Sequence, residues 1–259
     1  MQRRQFLAVS GATLMEGMTQ KEAAARPPRY FVLEQYFLKN GSQPGRVHAF
    51  FEKGVIPARR RLGLPAPAVV MEALAAAHMP QVAAVTAYDS LEQWTEARAR
   101  LGSDKEYTEA LARMEAGEEA PYEHYSEWLL EAAPYTPPLP GRLAGEGQPH
   151  VFELRLYHSP TERQWKALHE RFSGPEIPIF HRSGIHPLLY ASTLAGPEKP
   201  NLVYLTPFES LAAREKAWAA FGADPEWAKV RAESIARHGQ ISSVIQISLY
   251  RAAAYSPLK

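Results

Sequence analysis

Residues 151–157, VFELRLY, alternate: Val151, Glu153, Arg155 and Tyr157 fall on one side, and Phe152, Leu154 and Leu156 on the other. That two-residue period predicts a β-strand. Residues 30–36, YFVLEQY, carry a similar pattern, and the text after each strand is similar too. The chain therefore reads as two copies of one unit.

In the first copy, a strand over 30–38 ends at the turn signal Asn40-Gly41. A helix follows over 45–61, with Val47, Phe50, Phe51 and Val55 on its buried face. Pro57 bends that helix or ends it early. Arg59, Arg60 and Arg61 cluster at its end, where they suit the helix dipole. Strands are predicted over 68–74 and 81–87. A helix over 90–101 starts from an Asp89 or Ser90 cap, and Asp104 caps another over 105–114. The fourth strand lies within 122–130, and the Pro- and Gly-rich residues 134–149 read as a linker.

The second copy repeats this order. A helix over 161–172 buries Trp165, Leu168 and Phe172, and an irregular or short helix follows within 174–184. Strands come at 187–192 and 201–206. A helix covers 210–221, and Asp224 caps another over 225–235 with Pro225 in its first turn. The last strand is 244–251. At an offset of 120, Tyr88-Asp89-Ser90-Leu91 matches Phe208-Glu209-Ser210-Leu211, and Leu101-Gly102-Ser103-Asp104 matches Phe221-Gly222-Ala223-Asp224. Tyr36 matches Tyr157 at 121. An aromatic-acidic-Ser-Leu cap followed by a capped second helix is hard to obtain twice by chance.

Each unit reads β-α-β-β-α-β with a broken second helix, a ferredoxin-like split βαβ. The predicted fold is α+β: tandem ferredoxin-like repeats over 27–133 and 150–259, packed sheet to sheet as an α+β barrel. In this reading the helices cover one face of each sheet, and the other face carries Glu34, Tyr36, Glu153, Arg155 and Tyr157. Packing the sheets face to face then leaves a central cavity lined by these residues.

FELRLY, the ESL cap, GADPEW and the closing VIQISLY resemble the NIPSNAP family. YDSLEQW and SDKEY in the first copy are a more divergent version. The resemblance covers about 30–132 and 151–251, as two tandem NIPSNAP-like domains. It implies the dimeric α+β barrel superfamily, which holds small monooxygenases, haem enzymes and many members without known activity. The family's ties to vesicle transport and mitochondrial quality control come with no catalytic motif to carry over.

Composition narrows the chemistry. The 259 residues hold 46% hydrophobic positions, 29 Lys plus Arg and 28 Asp plus Glu, a formal net charge of +1. That balance gives no general pull toward nucleic acid or anionic lipid. Cysteine is absent, which excludes disulfides, thiolate nucleophiles and Cys-ligated metals. No apolar run reaches membrane-spanning length. Residues 1–26 begin with Arg3-Arg4 before a short apolar stretch, and RRQFL resembles a bacterial twin-arginine signal. The expected location is periplasmic or exported if that signal is used, and cytoplasmic if the segment is only a disordered tail. Export fits poorly with an organellar role and suggests a bacterial protein.

The candidate catalytic residues are Glu153, Arg155, Tyr157 and His181. The candidate ligand-binding residues are Glu34, Tyr36, Arg155, Tyr157, Arg182 and His186. Arg155 would hold an anionic group while Glu153 or Glu34 moves a proton. The structural alternative is an ion pair at the repeat interface. His181, Arg182 and His186 sit together in HRSGIHP, and histidine moves protons near neutral pH. His48 and His169 read as helix-surface or interface histidines, and the tryptophans as core. No HExxH, GxGxxG, P-loop or GxSxG pattern is present, so no metal site and no cofactor is predicted. The superfamily resemblance leaves haem on His181 or His186 as an alternative. The expectation is an uncharacterised NIPSNAP-like protein, monomeric or homo-oligomeric, that binds a small ligand or protein partner. The enzyme alternative is a monooxygenase-like oxidoreductase acting on a small substrate, aromatic or otherwise, in the inter-sheet cavity.

Overall fold

The computed structural model describes residues 26–145 and 149–259. The Arg3-Arg4 segment lies outside the described residues. Strand β1 (Tyr30–Phe37) leads into α1 (Gln43–Phe50), a π-helical turn (Phe51–Val55) and α2 (Ile56–Arg61). Then come β2 (Pro67–Ala75), β3 (Gln81–Tyr88), α3 (Leu91–Gly102), α4 (Lys105–Glu115) and β4 (His124–Ala132). The second repeat has β5 (Val151–His158), α5 (Glu162–Arg171), a π-helical turn (Phe172–Glu176) and α6 (Ile177–Arg182). It closes with β6 (Leu189–Ala195), β7 (Asn201–Phe208), α7 (Leu211–Ala223), α8 (Pro225–His238) and β8 (Val244–Ala252).

The helix breaks fall at equivalent places. Pro57 and Pro178 sit in the first turns of α2 and α6, each just after its π-turn. A proline there has no N–H to give the preceding turn, so the ladder is re-phased rather than continued. Caps are also paired. Ser90 accepts from Gln93 N at 3.1 Å and Ser210 from Ala213 N at 3.1 Å. Asp104 accepts from Tyr107 N at 2.8 Å, and Asp224 from Trp227 N at 3.1 Å. Arg61 holds Asp104 at 2.6 Å and Glu106 at 2.8 Å; Arg182 holds Asp224 at 2.8 Å and Glu226 at 2.7 Å. The same guanidinium thus ties the same helix start in both repeats.

The eight strands close a barrel in the order β1-β3-β2-β8-β5-β7-β6-β4. Each repeat contributes four antiparallel strands, joined at β2–β8 and β4–β6. The tails beyond the closing strands cross over. Ala133 N donates to Tyr190 O of the second repeat, and Ala253 N donates to Val70 O of the first, both at 2.8 Å.

The barrel interior is the main core: Phe31 and Leu33 from β1, Phe152, Leu154 and Leu156 from β5, with Met71, Val85, Val203 and Leu205. At one end, Gln35 Nε2 donates to the Tyr250 hydroxyl at 3.2 Å, and that hydroxyl donates to Gln81. The expected inter-sheet cavity is therefore filled. Glu34, Tyr36, Glu153, Arg155 and Tyr157 lie on the opposite, helix-facing side of their strands. Alternation separates two faces but does not say which one looks inward when both are covered.

Candidate functional site

The helix-facing layer differs sharply between the two repeats. In the second repeat it is closed. Glu153 is fully buried and accepts from Arg155, from Arg214 and from Trp218 Nε1, the last at 3.1 Å. The Arg155 guanidinium lies 3.6 Å from the Trp218 ring centroid, and its Nη1 donates to the Tyr157 hydroxyl at 3.2 Å. Tyr204 donates to Tyr157 at 2.7 Å. Every charge here is matched by an opposite charge or a ring face, as a buried ion cluster requires. Glu153 and Arg155 pair at two-residue spacing, the structural alternative of the sequence reading. His181 does not join them. It is exposed and stacks on His186 with centroids 5.0 Å apart. Partial desolvation and the neighbouring His186 hold His181 below the usual histidine range.

In the first repeat the same layer encloses a cavity of about 370 Å³ between β1, β3, β4 and helices α2–α4. Glu34 stands on its floor, at the position Arg155 occupies in the second repeat. It lies opposite Glu127 in the β1–β4 register. Arg98 neutralises Glu127 through Nη1, at 2.8 and 2.9 Å to its two oxygens. Among the described residues Glu34 joins no ion pair. Burial pushes its carboxyl above the usual carboxylate range, and the Arg59 charge opposes that shift.

Arg59 faces the same cavity. Its Nη1 donates to Pro65 O at 2.8 Å and to the Tyr88 hydroxyl at 2.9 Å, while its Nε is buried with no partner. The walls are aromatic. Tyr36 stacks on Tyr125 at 5.5 Å and meets Tyr122 edge-on at 5.4 Å, with Tyr107 and Trp94 completing the ring. Burial raises the Tyr36, Tyr88 and Tyr107 phenols, so they remain neutral donors at ordinary pH. A carboxyl with a raised pKa beside an incompletely paired guanidinium and flat ring walls is chemically able to exchange a proton with a planar molecule.

One exchange accounts for much of the difference. Helix α3 carries Trp94 and Arg98 one turn apart, and α7 carries Arg214 and Trp218 at the equivalent positions, the same residue types in reverse. In α7 the indole lies over the strand and stacks on Arg155. In α3 the guanidinium goes to Glu127 and the indole moves to the rim.

Of the expected ligand residues, Glu34 and Tyr36 line the first-repeat cavity, while Arg155 and Tyr157 belong to the closed cluster. Arg182 and His186 line a different and larger groove of about 710 Å³, mainly apolar, beneath the linker. The smaller cavity holds the half-buried Glu34 carboxyl and the unpartnered Arg59 Nε. In the sequence Arg59 stands only as part of a basic helix end, and Trp94 and Trp218 only as core. The i, i+4 spacing of Phe51, Val55 and Arg59 does place Arg59 on the buried face.

Residues 152–257 match the NIPSNAP family model. No curated protein matches the chain. Among solved structures, a provisionally described monooxygenase from Fusobacterium nucleatum superposes with a TM-score of 0.57 at 6% identity, covering 87% of this chain and 93% of that one. A second provisional monooxygenase, from Lactobacillus acidophilus, gives 0.54 at 7% identity over 87% and 94%. An anthrone oxidase-like protein gives 0.55 at 15% identity over 89% and 94%. At such identities these likenesses establish the fold.

Proposed function

We propose that the chain is a monooxygenase-like oxidoreductase acting on a small planar aromatic substrate in the first-repeat cavity, with Glu34 as the proton acceptor. The observation that carries this is the pairing of a half-buried carboxyl, Glu34, which joins no ion pair among the described residues, with a guanidinium, Arg59, whose Nε has no partner, in one aromatic-walled cavity. Glu34 removes a proton from an activated C–H, and Arg59 and the Tyr88 hydroxyl stabilise the resulting enolate oxygen. Dioxygen, the oxidant, adds to the carbanion. Glu34 returns its proton to the peroxide, and loss of water leaves a ketone: one oxygen atom ends in product and one in water. The fold neighbours include two proteins provisionally described as monooxygenases and an anthrone oxidase-like protein, which accords with this chemistry. The reading itself rests on Glu34 and Arg59.

The first repeat is read with it as a second, diverged NIPSNAP-like domain, supported by the matching Arg61–Asp104 and Arg182–Asp224 ties. A purely ligand-binding role is the second reading, favoured by the second-repeat cluster, where the equivalent residues are tied up in a closed ion cluster.

The test uses an enolisable hydroxyanthrone, following its C–H deuterium exchange and oxygen uptake. Wild type accelerates both, and Glu34→Gln binds the probe but loses both accelerations. Unchanged exchange in Glu34→Gln would sink the enzyme reading. Probe binding without any acceleration in wild type would leave the binding role.

A further inference from the structure

The 710 Å³ groove lies between α7, the α6–β6 loop and the linker, and its lining shares no residue with the ion cluster. Its size falls within the range of small-molecule sites. Comparison of the repeats explains why it is open. Along α3 the equivalent positions are Gln93, Ala97 and Arg100, and Arg100 Nη2 donates to Leu62 O, closing the helix onto the α2–β2 loop. Along α7 they are Ala213, Ala217 and Ala220, and all three line the groove.

His150 supplies an independent sign of a ligand. Its side chain lines the groove and is only 6% exposed. Nε2 lies 2.8 Å from Ala144 O and so must carry its proton there, while Nδ1 is buried with no partner. In the neutral ring Nδ1 accepts a hydrogen bond, and in the charged ring it donates to an anion. Arg142 and Lys216 also line the groove and join no ion pair among the described residues, and Arg182 is committed to Asp224 and Glu226. The one acid along the lining is Glu209.

We infer that this groove binds an amphipathic carboxylic acid: an apolar body against the α7 alanines, and a carboxyl head held by His150 with Lys216 and Arg142. The site is separate from the Glu34 cavity, so its test stands whatever becomes of that reading. The probe is octanoate, titrated calorimetrically into the full chain, with octyltrimethylammonium as the matched cation. Octanoate is expected to bind at one site, and the cation at least about tenfold more weakly, the worth of one charge-assisted hydrogen bond. Ala213→Gln with Ala220→Arg, which copies α3, is expected to abolish binding. Lys216→Glu, on an exposed helix surface, is expected to weaken it about tenfold while melting like wild type. No octanoate binding to wild type, equal binding of the cation, or undiminished binding after the α3 copy would each overturn the inference.

Discussion

The hydroxyl of Tyr255, in the tail after β8, stands 2.8 Å from Nδ1 of His48 on α1, at the opposite end of the sequence. Tyr135, in the tail after β4, meets Nδ1 of His169 on α5 at the same 2.8 Å. Each repeat is thus fastened by the tail of the other, and both histidines sit at that interface. Tyr255→Phe and Tyr135→Phe should each cost about 1 kcal/mol, the net worth of one hydrogen bond. The two sites are far apart, so the double variant should be near the sum. Urea midpoints check this, and an unchanged midpoint in both single variants would remove the clasps from the stability account.

Glu153 is the keystone of the second-repeat cluster, with two guanidinium groups and an indole N–H converging on it. Glu153→Ala leaves both arginines without their buried partner and should cost about 3–5 kcal/mol. Replacing Trp218 by Phe keeps a ring under Arg155 and should cost less. Equal losses would show that stacking rather than ion pairing holds the cluster.

Glu176 is buried beside Arg171, and burial pushes its carboxyl up to about 7 despite the guanidinium at 2.7 Å. The folded chain therefore binds a proton more tightly there than the unfolded one. Stability from this group is full below its ordinary value of 4.5 and is lost as pH rises to about 7. His169 works in the opposite sense. Burial lowers it to about 4, so its contribution is present above its ordinary 6.5 and is lost as pH falls. Glu176→Gln should remove the first effect, and between about pH 4.5 and 6.5 stability should then climb with pH more steeply, by at most about 1.4 kcal/mol per unit. The slope is the readout, since the variant also frees Arg171. An unchanged slope would place Glu176 near its ordinary value in the folded chain.

Gly54 lies in the first π-turn, where an added Cβ would come 2.7 Å from the Cβ of Ala110 on α4. This contact sets how closely α4 approaches, and with it one wall of the Glu34 cavity. Gly54→Ala should destabilise by about 1–3 kcal/mol through overpacking. A neutral result in thermal melts would mean that α4 can shift at little cost.

Element order, caps and the two-fold repetition were legible because they are local: Ser90, Ser210, Asp104 and Asp224 each act within one helical turn. The facing of the strands was not. Phe152, Leu154 and Leu156 form as apolar a stripe as a helix-covered face would, yet they fill the barrel, and the mixed stripe with Glu153 and Arg155 meets the helices. In a barrel wrapped by helices both faces are buried, so polarity does not tell inside from outside. Glu34 stands out in the sequence by its charge, but its distinction from Arg155 depends on which partners α2, α3 and α7 deliver. Trp94, Arg98, Arg214 and Trp218 settle that, and they come from beyond the strands themselves.

Had this barrel been assembled from two identical chains, any residue chosen at the Glu34 position would have been imposed on the Arg155 position as well. A carboxylate ready to take up a proton and a guanidinium sealed under an indole could not then coexist. Carrying both halves on one polypeptide frees each from the other's mutations. One half can specialise in holding the structure together while the other loses packing, and some stability with it, to keep a pocket open.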